Sequence, residues 1–301
     1  MSDFVQQQNA VCQFSSSDAW VILSPIEKSI KRKIEAVGTP LKDWNINIYR
    51  GVLTGYNDAF IISTDKRNEI LANCQTEDER QRTAELIRPI LRGRDIKRYG
   101  YDWANLWLIY IPWHFPYQFD DSIQGASEKA EKAFKEQYPA VYSHMLQYKE
   151  PLSKRNKAET GIRYEWYAMQ RWGAKYWDDF SKPKIVWGNL NLKASFALVE
   201  DNSFINAPSP MIVPASNYLL GILNSKLADY YIRRLGVTRN GGYFEYKPMF
   251  IEQLPVPVDC KFKTIIEEAV SRRDERQIDK TVYAMYGLSS EEIHYIESRD
   301  V

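Results

Sequence analysis

Apolar residues recur along this chain at two spacings, one helical and one alternating. Ser24-Pro25-Ile26-Glu27 carries the signature of a helix start: a capping serine, a proline suited to the first turn and a glutamate at the capping-box position. Ile26, Ile30, Ile34 and Val37 follow on one face and Lys28, Lys31 and Arg32 on the other, until Gly38 closes the helix. Trp44 to Tyr49 alternates instead, with Ile46 and Ile48 in phase, and predicts a strand. Residues 51–58 are rich in turn formers, and Ala59-Phe60-Ile61-Ile62 predicts a second short strand. Thr76 and Glu79 open a charged helix that Pro89 obliges to end near Arg88. Arg92-Gly93-Arg94-Asp95 is a basic loop, and Leu106 to Ile111 predicts a buried strand.

Residues 127–148 predict a helix interrupted at Pro139. Residues 184–187 and 195–199 predict paired strands, and residues 217–235 a helix or two helices joined near Ser225. Arg239 to Tyr243 is a Gly-Gly turn, and Pro248 to Pro257 reads as an irregular strand. The C-terminal end is charged and helical, with Ser289 capping the final helix. Strands and helices mix without a βαβ rhythm and without repeats. The expected fold is therefore α+β, a mixed or antiparallel sheet with flanking helices and a helical C-terminal tail. Three segments are expected: a polar lead-in and capped helix over 1–43, a central domain over 44–258 and a helical segment over 259–301.

Composition adds little to the fold but narrows the function. The 301 residues are 44% hydrophobic, enough for one large or two modest domains. Nine Trp, 20 Tyr and 12 Phe suit a contact surface and a core equally. A net charge of +1, from 40 basic and 39 acidic residues, argues against a sequence-blind binder wrapped by nucleic acid, but leaves room for a locally basic groove. Cys12, Cys74 and Cys260 are odd in number and far apart, so no disulfide framework is expected and a cytoplasmic setting is. The polar, Gln-rich start does not read as a signal peptide, and no apolar run reaches membrane-spanning length.

Much common chemistry is absent from the sequence. There is no glycine-rich phosphate loop and no dinucleotide fingerprint. There is no Pro-Pro dipeptide, and so no Asn/Asp-Pro-Pro-aromatic loop such as DNA amino-methyltransferases use to hold a flipped base. His114, His144 and His294 stand far apart with no ligand spacing around them, so no metal site is expected. Asp95-Ile96-Lys97 and Glu245-Tyr246-Lys247 match the acidic-x-lysine half of a metal-dependent nuclease, a pattern common by chance in a chain that is 26% charged.

Six stretches carry a family resemblance: residues 48–62 (from Ile48-Tyr49-Arg50-Gly51 to Phe60-Ile61-Ile62), 87–99 (Ile87-Arg88-Pro89 through Arg92-Gly93-Arg94-Asp95 to Tyr99), Lys182-Pro183-Lys184-Ile185, 218–225, the run from Gly241-Gly242 to Pro255-Val256-Pro257, and 279–288. In order, over roughly residues 20–295, they resemble the target-recognition region of Eco57I-like, type IIG restriction-modification enzymes, the TaqI-like C-terminal specificity domain. The same region occurs in adenine methyltransferases of some phage-exclusion systems. The resemblance implies a module that recognises double-stranded DNA without catalysis of its own. It implies a methyltransferase domain or subunit as partner, which this chain does not contain. S-adenosylmethionine and magnesium would belong to such domains, so no cofactor is expected here.

Within that frame the candidate contact residues form three groups. Thr54 and Asn57 flank Gly55 and can bond phosphates or base edges, or simply hold their own turn. Arg92, Arg94, Lys97 and Arg98 can grip phosphates or guanine, or pair internally, as Arg94 with Asp95. Arg233, Arg234, Arg239, Asn240, Tyr243 and Lys247 surround the Gly241-Gly242 tip and are the favoured base readers; Lys193 is a further candidate. Tyr164, Trp166, Tyr167 and Trp172 can stack on bases or pack a core. Two other readings stay open: a compact nuclease using Glu245 and Lys247, and a subunit that docks on a methyltransferase through its helices.

Overall fold

The computed structural model describes residues 23–298; the polar lead-in of residues 1–18 and Cys12 lie outside the described residues. Helix α1 (Pro25–Val37) starts as its sequence dictates. Ser24 Oγ accepts from the Glu27 amide, the Glu27 carboxylate accepts from the Ser24 amide, and Ile30 and Ile34 are buried.

Eight strands make two four-stranded sheets. They are β1 (Asn47–Arg50), β2 (Ile61–Ser63), β3 (Ile87–Leu91), β4 (Leu106–Ile109), β5 (Lys184–Trp187), β6 (Phe196–Val199), β7 (Phe204–Ile205) and β8 (Pro210–Val213). One sheet is antiparallel throughout, in the order β6–β5–β8–β1. The other is mixed, in the order β7–β3–β4–β2, with β7 parallel to β3.

All four residues of β5 are buried, because both faces of its sheet are covered. Alternation sends Ile185 and Trp187, with Phe196 and Ile212 from the neighbouring strands, into one core. Val186, with Ala197, Val199 and Met211, enters the other. The first core is helical. It joins α1 to α2 (Asn217–Asn224), α3 (Lys226–Arg233), α4 (Lys263–Ser271), α5 (Glu275–Met285) and α6 (Ser290–Glu297). Helices α2 and α4 cross closely at Gly221, where a Cβ would lie 2.6 Å from Ile266 Cγ2. The second core is aromatic: Phe60, Phe134, Tyr164, Tyr167 and Phe180 are fully buried against the mixed sheet. Trp166 and Trp172 are buried there too, so the aromatic cluster at 164–172 packs as core.

The two ends of the described chain meet. Lys33 Nζ lies 2.7 Å from Glu292 Oε2, Tyr295 OH donates to Glu27 at 2.7 Å, and Arg234 Nη2 reaches Glu27 at 2.7 Å. Burial opposes ionisation of Glu27, but the hydrogen bonds from Tyr295 and Ser24 and the Arg234 charge hold its carboxyl at about 2.

The α+β fold and the helical tail are as the pattern implies, down to the break before Pro139 and the joint at Ser225. Local details differ. Residues 57–60 form a helical turn, so the expected second strand starts at Ile61. Pro248–Ile251 is a helical turn rather than strand, with Pro248 at its first position. Pro255–Val256 then pairs with Thr39–Pro40. The charged helix ends at Leu86 and passes directly into β3, which contains Pro89. Strand β7 reaches Ile90 and Leu91 but not Pro89, a half-paired position that tolerates a missing donor.

Lys184 is fully buried in β5, and its Nζ donates to the carbonyls of Phe180 and Asp201 at 2.8 Å and of Lys182 at 3.4 Å. Burial pushes its ammonium down to about 8, against the pull of Asp201. Between that value and the ordinary 10.5, the unfolded chain carries a proton that the folded chain has lost. Stability contributed at this site therefore rises with pH across that window. The unfolding free energy of the wild type, less that of Lys184→Met, should grow by about 2 kcal/mol between about pH 8 and 10 in urea titrations. Parallel curves would show that Lys184 titrates as an ordinary lysine.

Candidate nucleic-acid interface

The Arg92-Gly93-Arg94-Asp95 loop turns tightly between β3 and the short strand Ile96–Lys97. Arg92 grips Asp95 with two donors, Nε to Oδ2 at 2.9 Å and Nη2 to Oδ1 at 2.8 Å, and its own amide adds a bond to Oδ2 at 2.9 Å. Burial opposes the Asp95 charge, but these bonds hold its carboxyl below the usual range. Arg94 is exposed on the same turn, and its guanidinium makes no hydrogen bond or ion pair among the described residues. Lys97 is exposed and donates to the Arg94 carbonyl at 2.7 Å. Arg98 points elsewhere, to Glu275 on α5 at 2.8 Å and the Ala194 carbonyl at 2.9 Å. Gly93 presses the loop onto a second turn: a Cβ there would lie 2.9 Å from Ser209 Oγ and 3.5 Å from Gly188 Cα.

That second turn leads into Leu190–Asn191, which pairs antiparallel with Phe244–Glu245 from far along the chain. Arg233, at the end of α3, donates to the Leu192 carbonyl at 2.6 Å and the Gly242 carbonyl at 3.3 Å, tying both arms together. Gly241 and Gly242 adopt φ of +75° and +80°, which only glycine takes without strain. Arg239 Nη2 and Lys247 Nζ converge on Glu245 Oε2 at 3.0 and 2.7 Å. Lys247 first, then Arg239, lowers the Glu245 carboxyl below its ordinary value. Asn240 and Tyr243 are exposed at the tip, and Lys193 follows the exposed Leu192. Arg234, by contrast, faces Glu27 and the helical core.

Thr54 and Asn57 hold their own turn. Thr54 is fully buried, its Oγ1 donates to Asn57 Oδ1 at 2.7 Å and accepts from the Tyr56 amide at 3.2 Å. Arg155, half-buried among aromatic rings, donates to the Thr54 carbonyl at 2.6 Å.

Between this turn and the 190–191/244–245 strand pair lies a cleft of about 760 Å³ lined by Arg50, Leu53, Arg171, Asn189, Lys247 and Met249 among others. Arg171 is held by Glu159 through two bonds of 2.9 and 3.0 Å. Arg50, exposed at the end of β1, has no carboxylate or hydrogen-bond partner for its guanidinium among the described residues. The structure thus brings Arg92, Arg94, Lys193, Arg233, Arg239, Asn240, Tyr243 and Lys247 to connected turns on one side of the cleft. It sets Thr54 and Asn57 beside Leu53 and directs Arg98 to α5. Arg50 and Asn189 were not singled out from the sequence. The first stood inside a family stretch, the second at the head of the Asn189–Lys193 segment, and neither had a local charge cluster to mark it. Among the described residues no three His, Cys, Asp or Glu side chains stand together as metal ligands. The carboxylates of both acidic-x-lysine triplets are already paired, Asp95 with Arg92 and Glu245 with Lys247 and Arg239. No helix among the described residues is long and apolar enough to cross a membrane.

Comparison with known proteins agrees with this architecture. The chain is 24% identical over 249 residues to the type II methyltransferase M.MjaIV of Methanocaldococcus jannaschii, covering 76% of this chain and 75% of that one. Its fold matches the type IIL restriction-modification enzyme MmeI, solved in complex with DNA, at a TM-score of 0.52 and 13% identity, over 87% of this chain and 36% of MmeI. It matches the type IIG restriction endonuclease BpuSI at a TM-score of 0.53 and 14% identity, over 91% of this chain and 32% of BpuSI. This chain therefore spans about a third of each of those two enzymes. The profile of the TaqI-like C-terminal specificity domain matches residues 88–256, from the start of β3 to the strand after the Gly-Gly tip. Since that match covers more than half of its length, the chain belongs to the TaqI-like C-terminal specificity domain family.

Proposed function

We propose that double-stranded DNA lies across the mouth of the cleft, its phosphates met by Arg50 and Arg94 and its base edges by the turns at 189–193 and 239–247. As a specificity domain, the chain is a target-recognition module of restriction-modification enzymes. The observation that carries the DNA-contact reading is the convergence of turns from distant parts of the sequence. The 92–95 loop packs on Gly188, Arg233 ties Leu192 to Gly242, and Lys247 and Asn189 share the cleft with Arg50. Most cations in this region are already paired, whereas Arg50 and Arg94 keep guanidinium forks open to phosphate. The methyl donor and the catalytic chemistry belong to a methyltransferase domain or subunit with which the module works, and this chain alone neither binds S-adenosylmethionine nor transfers a methyl group.

Three outcomes follow. Fluorescence anisotropy on a mixed-sequence duplex should give weak, salt-sensitive binding with a log–log slope of roughly −3 to −5, and Arg50→Ala or Arg94→Ala should each flatten it by about 0.9. Unchanged slopes would remove these residues from the phosphate path. Arg92→Ala should act through its loop instead, because it leaves the buried Asp95 carboxylate without its guanidinium. A double-mutant cycle with Asp95→Ala in urea should show a coupling of about 1–3 kcal/mol, and additive effects would contradict the assignment. Calorimetry with S-adenosylmethionine should show no micromolar binding to the chain; a clear isotherm would overturn the non-catalytic reading.

A further inference from the structure

Asn189 sits where the buried strand β5 gives way to the cleft, and its backbone is fixed on several sides. The Asn189 carbonyl accepts from the Tyr246 amide at 2.8 Å, and one position before the intervening glycine, Trp187 Nε1 donates to the Tyr246 carbonyl at 2.7 Å. Tyr246 and Trp187 are themselves buried. The preceding Gly188 is tightly packed: a Cβ there would lie 3.1 Å from the Gly93 carbonyl oxygen and 3.2 Å from the Asn191 carboxamide, so a side chain would require those neighbours to give way. Asparagines in turns usually bond their own backbone. Asn191 does so, with Nδ2 donating to the Gly188 carbonyl at 2.7 Å. The Asn189 carboxamide makes no hydrogen bond among the described residues, is half-buried, and lines the cleft.

We infer that Asn189 reads an adenine, and that the cleft is built for an A·T pair. This rests on the DNA-contact reading above and names what that site recognises. A carboxamide offers one donor and one acceptor side by side. The major-groove edge of adenine offers the complement, an acceptor at N7 and a donor at N6, so both bonds form at once. Guanine presents two acceptors there, O6 and N7, and would set one against the carboxamide oxygen. Cytosine presents a lone donor and thymine a lone acceptor, so neither satisfies the pair. The opposite strand of an A·T pair carries the thymine methyl, and the cleft supplies apolar contact for it in Met249 and Leu53, both exposed. A cleft tuned to guanine would place an open guanidinium where Asn189 stands; of the two arginines that line the cleft, Arg171 is held by Glu159 and Arg50 is the one assigned above to a phosphate. Rigid backbone beneath an uncommitted carboxamide is the arrangement that discriminates by geometry rather than by adjusting to each base.

The test is selection of duplexes from a random library by the full chain, followed by affinity measurements on the winner. The wild type should enrich a motif containing one A·T position that Asn189→Ala leaves degenerate while the flanking positions persist. With the wild-type protein alone, replacing that adenine by 7-deazaadenine, which keeps Watson–Crick pairing but removes N7, should weaken binding about tenfold or more. Replacement at other adenines of the motif should matter less. A motif that retains the same preference in Asn189→Ala overturns the inference, as does full tolerance of 7-deazaadenine at every adenine, and in both cases DNA recognition by the module survives. If the wild type enriches no sequence at all, the DNA-contact reading falls and the Asn189 assignment falls with it.

Discussion

Strand β5 has no face toward water, and the rest of the molecule is arranged around that constraint. Its odd-numbered side chains feed the helical core and Val186 the aromatic one, so neither lobe can form its interior without the other lying across the sheet. Lys184 shows how firmly the position is set. A lysine at a site with no exposure would normally be replaced by an apolar residue, yet here the carbonyls of Phe180, Lys182 and Asp201 surround its ammonium group. Those carbonyls belong to the segments that enter and leave the antiparallel pair β5–β6. The lysine thus clips them to the strand while bearing an adverse desolvation term. The turn at 188–191 emerges directly from this strand, which is why the cleft wall inherits the rigidity of the core.

Charge is used inwardly. The chain is nearly neutral, and the cations that cluster in its sequence are mostly neutralised close by: Arg92 by Asp95, Arg98 by Glu275, Arg171 by Glu159, Arg239 and Lys247 by Glu245. Such a surface has a weak long-range field, so on the proposed reading affinity for DNA comes from a few open guanidinium groups and from shape. The pairing was legible only in part. The sequence suggests that Asp95 pairs inside the basic loop and offers Arg94 beside it, but the structure uses Arg92, three positions before it. Arg98 and Glu275 are separated by 177 positions, and nothing local links them. Arg50 is the converse case: a single arginine at a strand end attracts no notice in sequence, yet beside the cleft it is left without a partner among the described residues.

The same division separates what was readable in the fold from what was not. Signals carried by neighbours in sequence appear where the pattern places them: the capping boxes at Ser24 and Ser289, the break before Pro139, the joint at Ser225. Strand β8 escaped notice because Pro208, Pro210 and Pro214 dress it as a loop, although it lies inside the antiparallel sheet between β5 and β1. Helix Thr64–Ala72 escaped because it has little apolar periodicity; its cap, Ser63, is also the last residue of β2. Strand β7 is two residues long and is defined by its partner β3, not by its own composition. The meeting of α1 with α6 is invisible for the same reason, since Glu27 and Tyr295 stand 268 positions apart.

A specificity module must satisfy two demands that pull against each other: hold its reading groups still, and let them change without unfolding the domain. The geometry around the cleft separates the two by residue. Gly93 and Gly188 pack their two turns closely against each other, and Arg92, Arg155 and Arg233 are held by the carboxylate or backbone carbonyls they bond. Replacing Arg92 leaves the buried Asp95 carboxylate without its guanidinium, and replacing Arg155 leaves the carbonyl of the buried Thr54 without its donor. Asn189, Asn240, Tyr243 and Met249 are placed by backbone alone: their side chains face the cleft or solvent, and no hydrogen bond or salt bridge found among the described residues depends on those side chains. On the proposed DNA-contact reading, replacing one of them would alter which base edge is complemented while the strand beneath stays seated between its two cores. On that reading, recognition is separable from stability at these positions because the constraint that fixes their geometry acts in the backbone, one covalent bond below the side chain.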